Sequence, residues 1–134
     1  SVSNKRTDRY GGSRENRFRF LKEVVEAVGQ VYAFDRIGVR ISPNGGYNSM
    51  GSEDNHDFFL YVASELSNYG LAYLHAMDGL GFGYHGKSPV VTLHEVKREF
   101  KGVVMGNVGY EKDTADGALR TGAADLIAFG RHYI

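Results

Sequence analysis

The stretch that decides the fold class is Arg36-Ile37-Gly38-Val39-Arg40-Ile41-Ser42. Its three β-branched residues alternate strictly with glycine, arginine and serine, and such alternation predicts a strand with one apolar face. Pro43 ends this strand, and a loop rich in Gly, Asn and Ser follows over residues 44–55. We therefore expect a strand that packs one of its two faces against other elements of the fold.

Helical and strand patterns alternate along the rest of the chain. Apolar residues recur at helical spacing in four segments, and three further segments have the short apolar runs that are typical of strands. The predicted helices cover residues 13–28, 57–69, 88–100 and 114–121, and the further strands cover residues 71–77, 102–108 and 124–130. Residues 1–12 are predicted to form a loop ahead of the first helix.

Capping residues indicate several helix ends. Ser13 is suited to the N-cap of the first helix, and Gly29 and Gly70 are suited to the positions just after the first and second helices. Ser88-Pro89 is a cap residue followed by a proline, which favours the start of the third helix.

The order of these elements indicates the architecture. Strand and helix alternate, which predicts βα units with right-handed crossovers and therefore a parallel sheet. Two α/β architectures are compatible with four such strands: a small doubly wound sheet, and one half of a (βα)₈ barrel. A full barrel needs about 250 residues, whereas this chain has 134.

Composition narrows the classes of function. A chain of 134 residues forms one domain with its own core. Its 16 Lys and Arg residues balance 16 Asp and Glu residues, which argues against nucleic acid as the main partner. The basic residues between Lys5 and Lys22 are interpreted as a solvated helix face.

Missing residue types and patterns exclude further classes. The absence of cysteine excludes disulfides, thiolate metal sites and thiol catalysis, and the five histidines have no metal-ligand spacing, so we expect no metal site. No apolar run approaches the roughly 20 residues of a membrane span. The chain begins polar and basic, without a signal-peptide pattern, so we expect a cytoplasmic location and no membrane partner.

Arg40 is a candidate ligand-binding residue. It lies within the first strand, on the face opposite three β-branched residues. A buried guanidinium group requires a partner, which is either an anionic ligand or a carboxylate such as Asp78. His75 lies in the second strand and is interpreted as a hydrogen-bonded core residue.

Two glycine-containing strand ends form a second candidate site. Gly106-Asn107 and Gly130-Arg131 both stand where a strand becomes a loop. Glycine lets a phosphate approach backbone N–H groups, and arginine can bind a phosphate through two hydrogen bonds. Barrels frequently hold phosphate with the loops after their last two strands. The alternative is two tight turns beside a surface arginine.

The chain also resembles a known family. Residues 4–17, Asn4-Lys5-Arg6-Thr7-Asp8-Arg9-Tyr10-Gly11-Gly12-Ser13-Arg14-Glu15-Asn16-Arg17, closely resemble the N-x-R-x-D-x-Y-G-G-S-x-E-N-R signature of the Old Yellow Enzyme family. Members of this family are FMN-dependent ene-reductases built on a (βα)₈ barrel. Gly38–Pro43, Gly106–Tyr110 and Ala124–Arg131 resemble the fifth, seventh and eighth strands of that barrel.

The resemblance implies an architecture and a cofactor site. Residues 1–134 would form a single C-terminal half-barrel domain with four strands. Arg40 would lie at the pyrimidine end of the flavin, where a positive charge stabilises the anionic reduced form. Gly106, Asn107, Gly130 and Arg131 would bind the FMN phosphate.

The resemblance also implies a reaction. In the family, NAD(P)H reduces FMN, and the flavin passes hydride to an activated alkene. The residues that orient and protonate the alkene precede the signature in family sequences, so no catalytic residue is expected in this chain.

We therefore expect the FMN-binding portion of an NAD(P)H-dependent ene-reductase that is inactive without the missing N-terminal half. The alternatives are a non-catalytic half-barrel that binds FMN or phosphate, and a purely structural fragment. Unpaired strand edges and an open apolar inner face predict a homodimer, a swapped dimer or pairing with a complementary half-barrel.

Overall fold

The computed structural model describes residues 3–134 of the chain. Its helices are α1 (Arg14–Gly29), α2 (Asn55–Leu66), α3 (Leu93–Glu99) and α4 (Lys112–Arg120). Its strands are β1 (Gly38–Ile41), β2 (Tyr73–Met77), β3 (Val104–Asn107) and β4 (Leu126–Ala128). The predicted loop at residues 1–12 is described from residue 3 onward, and Ser1 and Val2 lie outside the described residues.

The strands form one parallel sheet in the order β1-β2-β3-β4. A doubly wound sheet reverses its strand order at a switch point, whereas these strands follow the order of the chain. Right-handed crossovers between strands in this order place the connecting helices on one face of the sheet. The prediction of parallel βα units is therefore confirmed, and the arrangement is that of a barrel segment and not of a doubly wound sheet.

The core lies between the helices and one face of the sheet. Alternate strand residues on this covered face are buried, as the sequence alternation predicts: Val39, Ile41, Leu74, Ala76 and Val104. The helices contribute the buried residues that pack against them, among them Phe18, Val25, Val62, Leu66 and Val96. Burial of these aliphatic and aromatic side chains is the main source of stability of the unit.

No helix of the described residues packs against the other face of the sheet. Its side chains are half-buried or exposed and combine polar with apolar groups: Arg40, Tyr73, His75, Met77, Met105, Asn107, Leu126 and Ala128. Gly38 has no side chain because the Tyr73 ring occupies the space where its Cβ would stand. An open face is present as expected, but it combines polar with apolar side chains, whereas the expectation was an apolar inner face.

The end of α1 differs from the prediction. Ser13 is the N-cap as expected, since its side chain accepts a hydrogen bond from the Asn16 N–H. Gly29 was expected just beyond the helix, but it is the last helical residue. A Cβ on Gly29 would lie 2.5 Å from the Phe34 ring, so close packing explains this glycine. Gly70 has φ 66° after the second helix, as its predicted role requires.

The start of α3 also differs from the prediction. Ser88-Pro89 does not begin the helix, because the following Val91 N–H donates to the buried side-chain oxygen of Asn44 at 2.8 Å. The helix begins after Thr92, which forms a capping box with Glu95. A tertiary hydrogen bond therefore overrides the local signal. None of the helices within residues 3–134 combines the length and apolar character of a membrane span.

Candidate functional site

A cleft of about 440 Å³ opens at the carboxyl ends of the strands. Its walls include Arg40, Phe82 of the β2–α3 loop, residues 107–111 at the end of β3 and residues 128–132 at the end of β4. This volume lies within the range of about 300–1,000 Å³ that is usual for small-molecule sites. The cleft therefore stands where ligands of parallel α/β folds bind.

The cleft contains all but one of the predicted site residues. Arg40, Asn107, Gly130 and Arg131 line it, but Gly106 does not. Gly106 is buried on the covered face, where a Cβ would lie 2.6 Å from Cδ1 of Leu93. The absence of a side chain at Gly106 therefore allows α3 to pack closely against β3.

Arg40 is exposed, contrary to the expectation of a buried guanidinium group. It lies on the open face of the sheet, which the helices within residues 3–134 leave uncovered. Its Nη2 donates to the side-chain oxygen of Asn107 at 3.1 Å, and within residues 3–134 it forms no ion pair with Asp78. Asn107 in turn donates to the Ala128 carbonyl at 2.7 Å. The Asn107 amide therefore orients Arg40 and connects β1 with β4.

Asp78, at the end of β2, is instead bound to the segment after β3. Its Oδ2 accepts a hydrogen bond from the Tyr110 hydroxyl at 2.6 Å, and its Oδ1 accepts one from the Asn107 N–H at 3.2 Å. Burial raises the pKa of Asp78, although these two hydrogen bonds oppose the rise. Burial and the neighbouring Asp78 raise the pKa of Tyr110, so the phenol stays protonated and donates.

The turn after β3 has an unusual backbone. Val108 has φ 84° and Gly109 has φ 77°. A β-branched residue in this left-handed region is strained by about 1–3 kcal/mol. The backbone of Gly79 packs directly against the turn. Its N–H donates to the Asn107 carbonyl at 3.3 Å, and a Cβ on Gly79 would overlap the Val108 carbonyl oxygen. The neighbouring backbone therefore holds the strained turn in place.

The opposite wall of the cleft contains the guanidinium group of Arg131 and backbone that no side chain of the described residues covers. The Arg131 guanidinium lies over the Phe82 ring, with its carbon 4.9 Å from the ring centroid. Within residues 3–134, and apart from each glycine and its two chain neighbours, no atom lies within 4 Å of the position where a Cβ would stand on Gly109 or Gly130. The cleft thus combines two arginines with exposed backbone, a donor set that suits an anion.

A second pocket of about 350 Å³ shares Phe82 with the cleft. Most of its lining is apolar and includes Tyr47, Met50 and Met77. An apolar pocket next to an anion-binding cleft suits a ligand with a charged end and a flat apolar body.

His75 does not have the hydrogen-bonded core environment that the sequence predicted. It lies on the open face next to Arg40 in the sheet register, and its Nε2 is buried without a hydrogen-bond partner within residues 3–134. Burial, followed by the charge of Arg40, lowers the pKa of His75, so its imidazole is neutral near pH 7.

The sequence prediction did not include Tyr110 and Phe82, which line the cleft, or the hydrogen bond from Tyr110 to Asp78 behind it. The spacing of Gly79, Gly81 and Gly83 around Phe82 was the available signal, because a loop with so little side-chain bulk can approach other loops closely.

The whole chain, residues 1–134, matches the model of the NADH:flavin oxidoreductase / NADH oxidase family. It is 38% identical over 137 residues to putative 12-oxophytodienoate reductase 10 of Oryza sativa subsp. japonica, covering 98% of this chain and 43% of that protein. It is 40% identical over 129 residues to the probable flavin mononucleotide-dependent alkene reductase of Leishmania infantum, covering 96% of this chain and 34% of that protein.

Solved structures agree with this family match. The old yellow enzyme homologue from Zymomonas mobilis superposes with a TM-score of 0.88 at 36% identity, covering 96% of this chain and 37% of that protein. Morphinone reductase superposes with a TM-score of 0.84 at 35% identity, over 96% of this chain and 34% of its own. The chain thus spans between 34% and 43% of the length of these proteins, and its four-stranded unit matches part of the old yellow enzyme barrel. The chain belongs to the NADH:flavin oxidoreductase / NADH oxidase family.

Proposed function

We propose that this chain forms the FMN-binding part of an NAD(P)H-dependent ene-reductase. The observation that carries the proposal is the convergence of Arg40, Asn107, Gly130 and Arg131 on one cleft at the carboxyl ends of the strands. The relatives named as alkene and 12-oxophytodienoate reductases support the reaction class. A solved relative, morphinone reductase in complex with tetrahydroNAD, supports a nicotinamide reductant.

The residues of the cleft fit FMN. The Arg131 guanidinium and the open backbone at Gly109 and Gly130 suit the phosphate. Arg40, oriented by Asn107, supplies a fixed positive charge for the pyrimidine end of the flavin. Only the backbone of Gly106 belongs to the proposed site, because a Cβ on this residue would point toward Leu93 and away from the cleft.

FMN, when bound, supplies hydride transfer from the nicotinamide to the alkene. The residues of this chain would bind FMN and orient it. Tyr47, Met77 and Phe82 of the adjoining pocket provide apolar surface that excludes water. We propose no catalytic residue within this chain. The family supports an activated alkene as the substrate. The cytoplasmic location is proposed from the sequence alone.

The open sheet face supports a proposal about assembly. The edge of β1 and the side chains opposite the helices have no cover within residues 3–134. We propose that a complementary half-barrel, or a second copy of the chain, covers them, and that turnover requires this completion.

Charge reversal tests the phosphate site. Titration of the intact protein with FMN, followed by quenching of flavin fluorescence, is expected to show that Arg131→Glu raises the FMN Kd about 100-fold or more, because an attraction is replaced by a repulsion. The matched control is Arg36→Glu, since Arg36 is exposed at the opposite end of β1. Equal affinity of the two variants for FMN would remove the phosphate site from the cleft.

A further inference from the structure

Tyr110 folds back from the end of the turn after β3 onto the end of β2. Its hydroxyl donates to Asp78 Oδ2 at 2.6 Å, while Asp78 Oδ1 accepts the Asn107 N–H at 3.2 Å. The carboxylate therefore binds the turn at both of its ends, Asn107 and Tyr110. Between these ends lie Val108 and Gly109, whose φ values are 84° and 77°.

A valine at φ 84° persists only where its surroundings determine the backbone. Three contacts do so here: the two hydrogen bonds to Asp78 and the close approach of the Gly79 backbone to the Val108 carbonyl. Gly79 is the next residue after Asp78, so one short segment supplies all three contacts. Loss of the Tyr110 hydroxyl would leave the far end of the turn without its hydrogen bond.

The turn lines the cleft through Val108, Gly109 and Tyr110. The N–H groups of Gly109 and Tyr110 donate no hydrogen bond within residues 3–134. Consecutive free N–H groups in such a turn form a concave donor site for an anion. Two hydrogen-bond donors compensate the charge of Asp78, and its side chain is half-buried behind the turn.

We infer that Asp78 and Tyr110 form a latch that holds the Val108–Gly109 turn in the conformation that binds the phosphate of FMN. Both are positioning residues, because they act through the backbone of the turn. The inference rests on the proposed function, since it assigns the phosphate of FMN to this cleft. It predicts that the latch contributes to the binding of phosphate and not to the binding of the flavin ring.

A comparison of FMN with riboflavin, which lacks the phosphate, tests the latch. Tyr110→Phe retains the ring packing and removes only the hydroxyl. In the intact protein it is expected to raise the FMN Kd about tenfold, the size of effect for a lost hydrogen bond to a charged acceptor, with the riboflavin Kd unchanged. Tyr61→Phe is the matched control, since Tyr61 packs edge-on against Phe18 in the helical layer.

A second variant keeps the test independent of one substitution. Asp78→Asn retains one side-chain oxygen, which can still accept the hydrogen bond from Tyr110. It replaces the oxygen that accepts from the Asn107 N–H with an NH₂ group, which donates and cannot accept. It is expected to lower the ratio of FMN to riboflavin affinity as Tyr110→Phe does, and the double variant is expected to lose less than the product of the two single effects. Thermal melting confirms that each variant is folded.

Two results would overturn the latch. Equal loss of FMN and riboflavin affinity would assign Tyr110 and Asp78 a purely structural role, and unchanged affinity for both flavins would show that the turn needs no latch. Failure of the wild-type protein to bind either flavin would instead contradict the proposed function itself, and the latch with it.

Discussion

At the scale of single residues, Arg40 combines exposure with a fixed orientation. Its guanidinium lies on the open sheet face and donates to Asn107, which also binds the Ala128 carbonyl. Under the proposed function, this positive charge would stabilise negative charge that develops on a bound flavin. The orientation comes from a neutral amide, so the charge of Arg40 is not cancelled by an ion pair within the described residues.

Substitution of Arg40 tests this electrostatic role. Arg40→Leu is expected to lower the reduction potential of the bound flavin by on the order of 30 mV, equivalent to about 1.4 kcal/mol for two electrons, because the anionic reduced form loses its cation. Arg40→Lys, which retains the charge, is expected to shift it less. Spectroelectrochemical titration of the intact protein measures both potentials, and equal shifts would show that charge is not the cause.

Gly106 illustrates what the sequence can predict about a single residue of a strand. The alternation that places Val104 on the covered face also places Gly106 there, two residues later in the same strand. The sequence therefore contained the information that this glycine packs against a helix. The sequence prediction places it in a phosphate site instead, because a glycine stands there where the strand becomes a loop and because the family resemblance implies that role.

At the scale of elements, a hydrogen-bonded histidine and carboxylate connect α3 with α2. His56 of α2 has its Nε2 3.0 Å from Oε1 of Glu95, which also forms the capping box of α3. Although burial raises the pKa of Glu95, hydrogen bonds from Thr92 and then from His56 lower it to about 2. The side-chain hydrogen bond to Asp57 and then that to Glu95 raise the pKa of His56.

These pKa shifts predict how stability depends on pH. Since the folded pKa of Glu95 is depressed from 4.5 to about 2, its contribution is complete above pH 4.5 and is lost as the pH falls toward 2. The difference in free energy of unfolding between wild type and Glu95→Gln is therefore expected to shrink over this window. Urea unfolding at several pH values measures it, with Glu99→Gln as the control. A difference that is constant with pH would contradict the role of Glu95.

The elements were predictable where local patterns decide them. Strands and helices follow from periods of two and of about 3.6 residues, and the order of elements follows from their alternation. The start of α3 was not predictable, because the buried Asn44 side chain binds Val91 across 47 positions of the chain. The latch was not predictable either, because it depends on the left-handed backbone of Val108.

At the scale of the whole molecule, one face of the sheet packs against the core, and the candidate site opens at the carboxyl ends of the strands beside the other face. The helices cover only the first face because the strands follow chain order with right-handed crossovers. The loops at the carboxyl ends then gather Arg40, Asn107, Gly130 and Arg131, which stand far apart in the sequence. The barrel segment and its family were predictable from the signature at residues 4–17, whereas the contacts among the loops required the structure.

A crystal structure of the intact protein with bound FMN tests the central proposal most directly. We expect the phosphate within hydrogen-bond distance of the Arg131 guanidinium and of the N–H groups of Gly109 and Tyr110, and the pyrimidine end of the flavin next to Arg40. Flavin bound with its phosphate outside this cleft, or a cleft that stays empty at saturating FMN, would contradict the proposal.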